Sequence, residues 1–293
     1  MTPNESAKAI SGRMSLLQAR SAALAAAMLF STGGAAIKTG AFSAAQVSCV
    51  RSGIAAVALY LWVRRVEWSP RVVGIGGTYA LVLTLFVAST KLTTAANAIF
   101  LQSTAPLYML ALSPWILGER VRRRDLLYMG ALAAGLAFCF LGRPEATAIA
   151  PNPTLGNVLA VACGVAWAFT LVFLRWAQRG GEEVGTSAVV AGNLIAAVIA
   201  LPFAWPFPSA GPVEWGTLAY LGVVQIGVAY VCLTAAMREL RALEVSLLLL
   251  LEPVLNPMWT WLVRGEEPGR WVVVGGAVIV AATAAQSIIG SRD

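Results

Sequence analysis

Long apolar runs alternate with short polar breaks along nearly the whole chain. A helix crossing about 30 Å of hydrocarbon needs about 17–25 mostly apolar residues. Ten runs approach or meet that length, at 21–37, 44–63, 72–90, 95–117, 125–142, 155–174, 186–205, 215–236, 243–263 and 270–289. Turn residues or charges separate them, among them Lys38-Thr39-Gly40, Arg64-Arg65, Arg143-Pro144, Gly180-Gly181-Glu182-Glu183 and Arg238 to Arg241. No run shows the alternation over about 10 residues that marks a strand of a lipid-facing barrel. The pattern predicts an all-α integral membrane protein of ten transmembrane helices, with no soluble domain inserted in its short connections.

Composition agrees with that reading. Of 293 residues, 58% are hydrophobic and only 12% charged, whereas soluble domains carry about 25% charged residues. A water-soluble fold of this size cannot hide so much apolar surface. The net charge of +7 does not point to nucleic acid, because the basic residues sit in short clusters between spans and form no aromatic-studded stripe. With both termini on the cytoplasmic side of an inner (plasma) membrane, 15 of the 21 Lys and Arg residues fall on the inner face, the expected positive-inside bias. The polar segment 1–20 reads as a cytoplasmic tail with no cleavable signal, and the first apolar run as a membrane helix.

The two halves resemble each other. Pro106 aligns with Pro253, and Gly118-Glu119 with Gly265-Glu266, at one constant offset; Phe30 and Lys38 align with Trp167 and Arg175 at another. Residues 21–142 and 155–290 then form two repeats joined by a connecting loop at 143–154. Five spans per repeat, an odd number, require the halves to lie inverted in the membrane. Inverted repeats are a recurrent carrier architecture with the substrate site near the midplane.

Leu251-Glu252-Pro253-Val254 with Gly265-Glu266, the counterpart Ala105-Pro106-Leu107 with Leu117-Gly118-Glu119, and Arg51 early in the second span carry a family resemblance. Together they resemble the signature of the drug/metabolite transporter superfamily, in its EamA branch, over nearly the whole chain. The resemblance implies ten helices, cytoplasmic termini and alternating access around a central cavity. Phe30 stands where that branch usually has Trp, which Trp167 supplies in the repeat. The overall pattern is similar to bacterial amino-acid exporters, including those for aromatic amino acids.

Several residues are candidates for the chemistry. Glu252 lies near the middle of the ninth span, where a carboxylate costs at least a few kcal/mol. It would contact a substrate ammonium group or couple protons, or remain a neutral carboxyl bonded between helices. Helical spacing places Asn256 and Trp259 on its face. Pro106 and Pro253 each free the carbonyl four residues earlier, Gln102 and Leu249, which makes them hinges or static kinks. Asn97, Gln102 and Tyr108 would line a cavity from the fourth span, or serve as interhelical hydrogen bonds. Arg51 would snorkel to the headgroups, hold a substrate carboxylate, or pair with Glu252. Lys38 and Arg175 read as interfacial anchors. Tyr79, Trp167 and Tyr230, with Phe30, Phe86 and Phe169, would wall a pocket for an apolar or aromatic solute, or simply pack. Trp62, Trp68, Trp115, Trp176, Trp205, Trp215 and Trp271 sit near span ends as interfacial belts.

Small residues spaced four apart, Gly130 with Ala134, Ala131 with Gly135 and Ala277 with Ala281 and Ala285, suit close helix approach in spans five and ten. These spans read as scaffolding or as the contact of a weak homodimer; the expected state is monomer or weak dimer. No histidine is present, and the four cysteines have no ligand spacing, so neither a metal site nor a cofactor is expected. No Gly-rich phosphate loop is present, so ATP is not the expected energy source. The sequence thus points to a secondary transporter exporting small amphipathic metabolites, amino acids including aromatic ones foremost. Cationic drugs and nucleotide-linked sugars are alternative cargoes, and an intramembrane enzyme or a channel a more distant alternative.

Overall fold

A computed structural model describes residues 14–40, 42–63, 65–116, 118, 123–141, 147–148, 150–179, 184–240, 248–249 and 251–290. Helices follow the apolar runs: α1 Leu16–Ser31, α2 Gly33–Lys38, α3 Ala44–Val63, α4 Pro70–Leu92, α5 Ala95–Gln102, α6 Ala105–Ile116, α7 Arg123–Leu141, α8 Pro153–Arg179, α9 Gly185–Ala204, α10 Pro212–Tyr220, α11 Ala229–Glu239, α12 Leu251–Arg264 and α13 Arg270–Gly290. Between α10 and α11 the chain stays helical but widens to π-type turns over Leu221–Val228. Six helical stretches are long and apolar enough to cross a membrane: Leu16–Lys38, Ala44–Val63, Pro70–Leu92, Pro153–Phe173, Gly185–Ala204 and Pro212–Ala236. The protein is a multi-pass, all-helical membrane protein.

Local chemistry sets several boundaries. Ser15 caps α1 through a reciprocal capping box with Gln18, which starts the helix five residues before the first apolar run and satisfies two orphan N–H groups. Ser69 and Thr94 cap α4 and α5 in the same way, through their hydroxyls. The fourth apolar run is broken: α5 stops at Gln102, Ser103-Thr104 form a turn, and α6 restarts at Ala105 with Pro106 second in line. A proline cannot donate to Gln102, but its missing N–H costs nothing in a first helical turn. The break therefore falls at Pro106 and not at Pro114, which sits inside α6. Pro253 likewise occupies the first turn of α12, and most of the ninth run before it lies outside the described residues.

Gly118 and Gly265, just beyond α6 and α12, have φ of +67° and +63°. Glycine enters this left-handed region without a Cβ clash, which suits it to ending a helix. The repeated Gly-Glu motif thus has a backbone reason in both halves. Glu119 lies outside the described residues.

Helices α4 and α8 pack against each other, as do α1 and α11; α9 lies along both α3 and α4, and α7 pairs with α13. In the last pair a Cβ on Gly135 would lie 3.0 Å from the Gly275 carbonyl oxygen and 2.7 Å from Ile279. Gly135 therefore serves this internal contact, through backbones that approach closely, whereas nothing lies within 4 Å of a Cβ on Gly130 and Ala134, Ala277, Ala281 and Ala285 are exposed. The seven tryptophans expected near span ends are all exposed.

Candidate functional site

Four aromatic rings form a continuous row through the centre. Phe30 of α1 meets Tyr230 of α11 edge to face at 5.2 Å, Tyr230 meets Tyr79 of α4 at 5.5 Å, and Tyr79 meets Trp167 of α8 at 6.3 Å. Edge-to-face packing suits the ring quadrupoles. The Tyr79 ring is set by a close helix crossing: a Cβ on Gly192 of α9 would lie 2.6 Å from Tyr79 Cδ1 and 2.8 Å from the Gly76 carbonyl oxygen. Tyr79 is buried, whereas Trp167 and Tyr230 keep some exposed surface.

Arg51 of α3 lies beside this row. It is 2% exposed. Its Nη2 donates to the Leu83 carbonyl at 3.2 Å, its Nε has no partner, and Tyr79, Tyr230 and Cys163 are the polar groups in its electrostatic reach. The outward, headgroup-seeking alternative for Arg51 is overturned, because the side chain turns toward α4 where protein fills every direction. Pairing with Glu252 is also absent: among the described residues no carboxylate lies within ion-pair distance of Arg51. Ser48, three residues before Arg51, and Ser52, the residue after it, are buried with hydroxyls that lack partners.

Glu252 is densely surrounded by protein yet keeps part of its surface accessible, and it lies within electrostatic reach of Tyr230. Asn256, one turn on, is fully buried and both its amide atoms lack partners. Gly34 of α2 makes room for it: a Cβ there would lie 2.2 Å from Asn256 Oδ1. Trp259 donates from Nε1 to Ser31 Oγ at 2.9 Å. The shared face of Asn256 and Trp259 is therefore turned to α1 and α2.

A groove and a small cavity lie toward opposite ends of the bundle. A groove of about 420 Å³ lies toward the end that holds Lys38, lined by Thr32, Ala36, Thr217, Tyr220, Trp259 and others. A small cavity of about 20 Å³ lies toward the other end, against Tyr79, Trp167, Thr170 and Tyr230.

Beyond the groove the Lys38 end is closed by polar bonds. Lys38 Nζ lies 2.8 Å from Glu266 Oε2, with both side chains 3% exposed, and donates to the Thr93 carbonyl at 2.8 Å. Glu266 also accepts from the Ala95 N–H at the start of α5, where a carboxylate meets the positive end of the helix dipole. Thr93 Oγ1 and Asn97 Nδ2 both donate to Asn157 Oδ1, at 2.7 and 3.0 Å. Reading Lys38 as an interfacial anchor is corrected by these contacts: its ammonium is held inside a three-way junction of α2, α5 and the segment after α12.

The structure therefore brings Arg51, Tyr79, Trp167 and Tyr230 together, with Glu252 near Tyr230. It draws Asn97 into the junction at the closed end. Gln102 and Tyr108 stand by the break between α5 and α6, where Gln102 Oε1 has no partner. The Gln102 carbonyl freed by Pro106 faces α8, since a Cβ on Gly164 would lie 3.1 Å from it and from the Leu101 carbonyl. Lys38, Glu266, Asn157, Ser48 and Ser52 are the polar groups that reasoning from sequence missed as participants. A signal existed for two of them, since Lys38 and Glu266 are opposite charges assigned to span ends on one side.

Comparison with known proteins adds the family. The model of the EamA-like transporter family matches residues 19–141 and again 154–287. The aromatic amino acid exporter YddG of Ancylobacter novellus is 27% identical over 79% of this chain and 80% of its own. The pseudopaline exporter CntI of Pseudomonas aeruginosa is 26% identical over 90% and 94%, and the threonine/homoserine exporter RhtA of Salmonella typhimurium 26% over 71% and 68%. One solved crystal structure superposes with a TM-score of 0.63 at 25% identity, covering 94% of this chain and 98% of that one. With matches spanning both halves, the chain belongs to the EamA-like transporter family, within the drug/metabolite transporter superfamily.

Proposed function

We propose that the protein is a secondary transporter that exports small amphipathic metabolites by alternating access, with amino acids, aromatic ones included, as the favoured cargo. Its ten spans would form two inverted five-helix repeats, 21–142 and 155–290, with both termini on the cytoplasmic face of the inner membrane. Helix pairing supports the repeat. The first span packs on the eighth as the sixth packs on the third, while the second with the seventh and the fifth with the tenth are pairs that map onto themselves. The peripheral placing of α7 against α13 fits a carrier acting as a monomer or weak homodimer.

The observation that carries the reading is the aromatic row. It has the same order from either end, because Phe30 and Trp167 are counterparts in the repeat and Tyr79 and Tyr230 occupy the inner places. A row drawn from spans of both halves, with a small cavity against three of its rings, suits a carrier exposing one site alternately to either face. Rings of this kind suit an apolar or aromatic side chain, and nearby polar groups fix orientation. The names of the relatives support export of small metabolites.

Cationic drugs are the second reading, favoured by the carboxyl of Glu252, a partly buried residue within a span. Phosphorylated or nucleotide-linked cargo would call for several cations near the midplane, where Arg51 alone stands among the described residues. The test is transport by purified protein in proteoliposomes loaded with labelled phenylalanine. Saturable efflux, competed by tryptophan, phenylalanine and tyrosine, is expected. Saturable transport of other solutes without such competition removes the aromatic assignment, and group transfer or channel-like flux removes the carrier.

A further inference from the structure

We propose that Arg51 is the receptor for a carboxylate on the transported molecule, which deepens the carrier reading above and rests on it. Burial without a counterion carries the case. A guanidinium offers five N–H donors in a rigid fork shaped for a carboxylate. The structure shows Arg51 using Nη2 on Leu83 while Nε has no partner, inside a site that is 2% exposed.

This protein does pair a buried structural cation where it needs one. Lys38, equally enclosed, has Glu266 at 2.8 Å. Arg51 has hydroxyl groups around it instead: those of Tyr79 and Tyr230 in electrostatic reach, and those of Ser48, three residues before it, and Ser52, the residue after it, both buried and unpartnered. The two unpartnered serine hydroxyls are donors for an arriving anion that do not neutralise the arginine beforehand. A cation held in low dielectric is compensated when its partner is the cargo.

Position agrees with this role. Arg51 lies within electrostatic reach of the two inner rings of the aromatic row, and Tyr79, Tyr230 and Trp167 together line the small cavity. A carboxylate on Arg51 leaves the rest of the molecule lying along the rings. Cargo would then be selected by an anionic head and an apolar or aromatic body. Glu252, near Tyr230, stands where an ammonium group on the same molecule would be met.

The experiment compares ligand pairs that differ only in the carboxylate. Phenylalanine and phenylalanine amide compete for transport in proteoliposomes, and 3-phenylpropionate and its amide are titrated by tryptophan fluorescence. Wild type is expected to prefer each acid over its amide by at least about tenfold, because a site built for hydrogen bonds rejects the analogue lacking them. Arg51→Gln is expected to bring that preference close to unity, and an unchanged helical circular-dichroism spectrum reports that the variant is folded. Should Arg51→Gln not fold, Arg51→Lys keeps the charge without the fork, and an intermediate preference is expected. An undiminished acid preference in either variant overturns the proposal. Absence of amino-acid competition in wild type defeats the amino-acid reading alone, since the 3-phenylpropionate pair still reads Arg51. Equal binding of that acid and its amide to wild type overturns the carboxylate receptor.

Discussion

Replacing Lys38 by Met removes the ammonium from the junction that closes one end of the molecule. At 2.8 Å, a unit charge pair in an effective dielectric near 20 is worth about 6 kcal/mol of attraction. Desolvation of two side chains, each 3% exposed, offsets most of it, so the pair adds little net stability over an apolar substitute. Its loss on one side is another matter, because Glu266 is left charged, buried and without its cation, at a cost of about 3–5 kcal/mol. Glu266→Gln strands Lys38 comparably but keeps an oxygen for the Ala95 N–H. The double variant leaves no buried charge there, so it is expected to lose less than the sum of the singles, with a coupling energy of about 2–3 kcal/mol. Equilibrium unfolding in mixed micelles, followed by fluorescence of the chain's ten tryptophans, measures all corners of the cycle. Additivity within about 0.5 kcal/mol would refute the claim that this pair is a coupled, desolvated unit.

Other outcomes follow from the site and its supports. Gly192→Ala places a Cβ 2.6 Å from Tyr79 and 2.8 Å from the Gly76 carbonyl; it is expected to cost about 1–3 kcal/mol in the same unfolding assay, and unchanged stability would contradict the close crossing. Trp167→Ala takes the end ring from the row and is expected to raise the half-saturation for aromatic cargo by about tenfold, with smaller apolar cargo less affected; equal effects on both would separate Trp167 from recognition. Glu252→Gln is expected to leave binding of carboxylate ligands without an ammonium group intact while weakening phenylalanine by about tenfold. Transport and its pH dependence unchanged from wild type would remove Glu252 from both cargo contact and proton coupling.

Much of this protein was legible along the chain. In a membrane, backbone groups must be satisfied within the segment, so apolar length alone predicts helices, and the run at 44–63 coincides with α3. Pro106 announced the irregularity in the fourth run, and the Gly-Glu repeat marked two helix ends that need left-handed glycine. Ser15 was a readable cap, yet the apolar count began at residue 21 because a cap is polar. The π-type turns at Leu221–Val228 left no mark, since their residues are as apolar as any other span.

Which residues meet was decided by the tertiary structure. Lipid and protein interior are both apolar, so a span that is hydrophobic all round does not declare its inward face. Arg51 near a span end reads equally as snorkelling or buried until α4 and the aromatic row are set around it. Lys38 and Glu266 lie at opposite ends of the sequence, and only the folding of α12 against α2 makes them a pair. Composition and periodicity specify what crosses the bilayer, whereas the partner of each buried charge depends on helix packing, where a few close backbone approaches choose the neighbours.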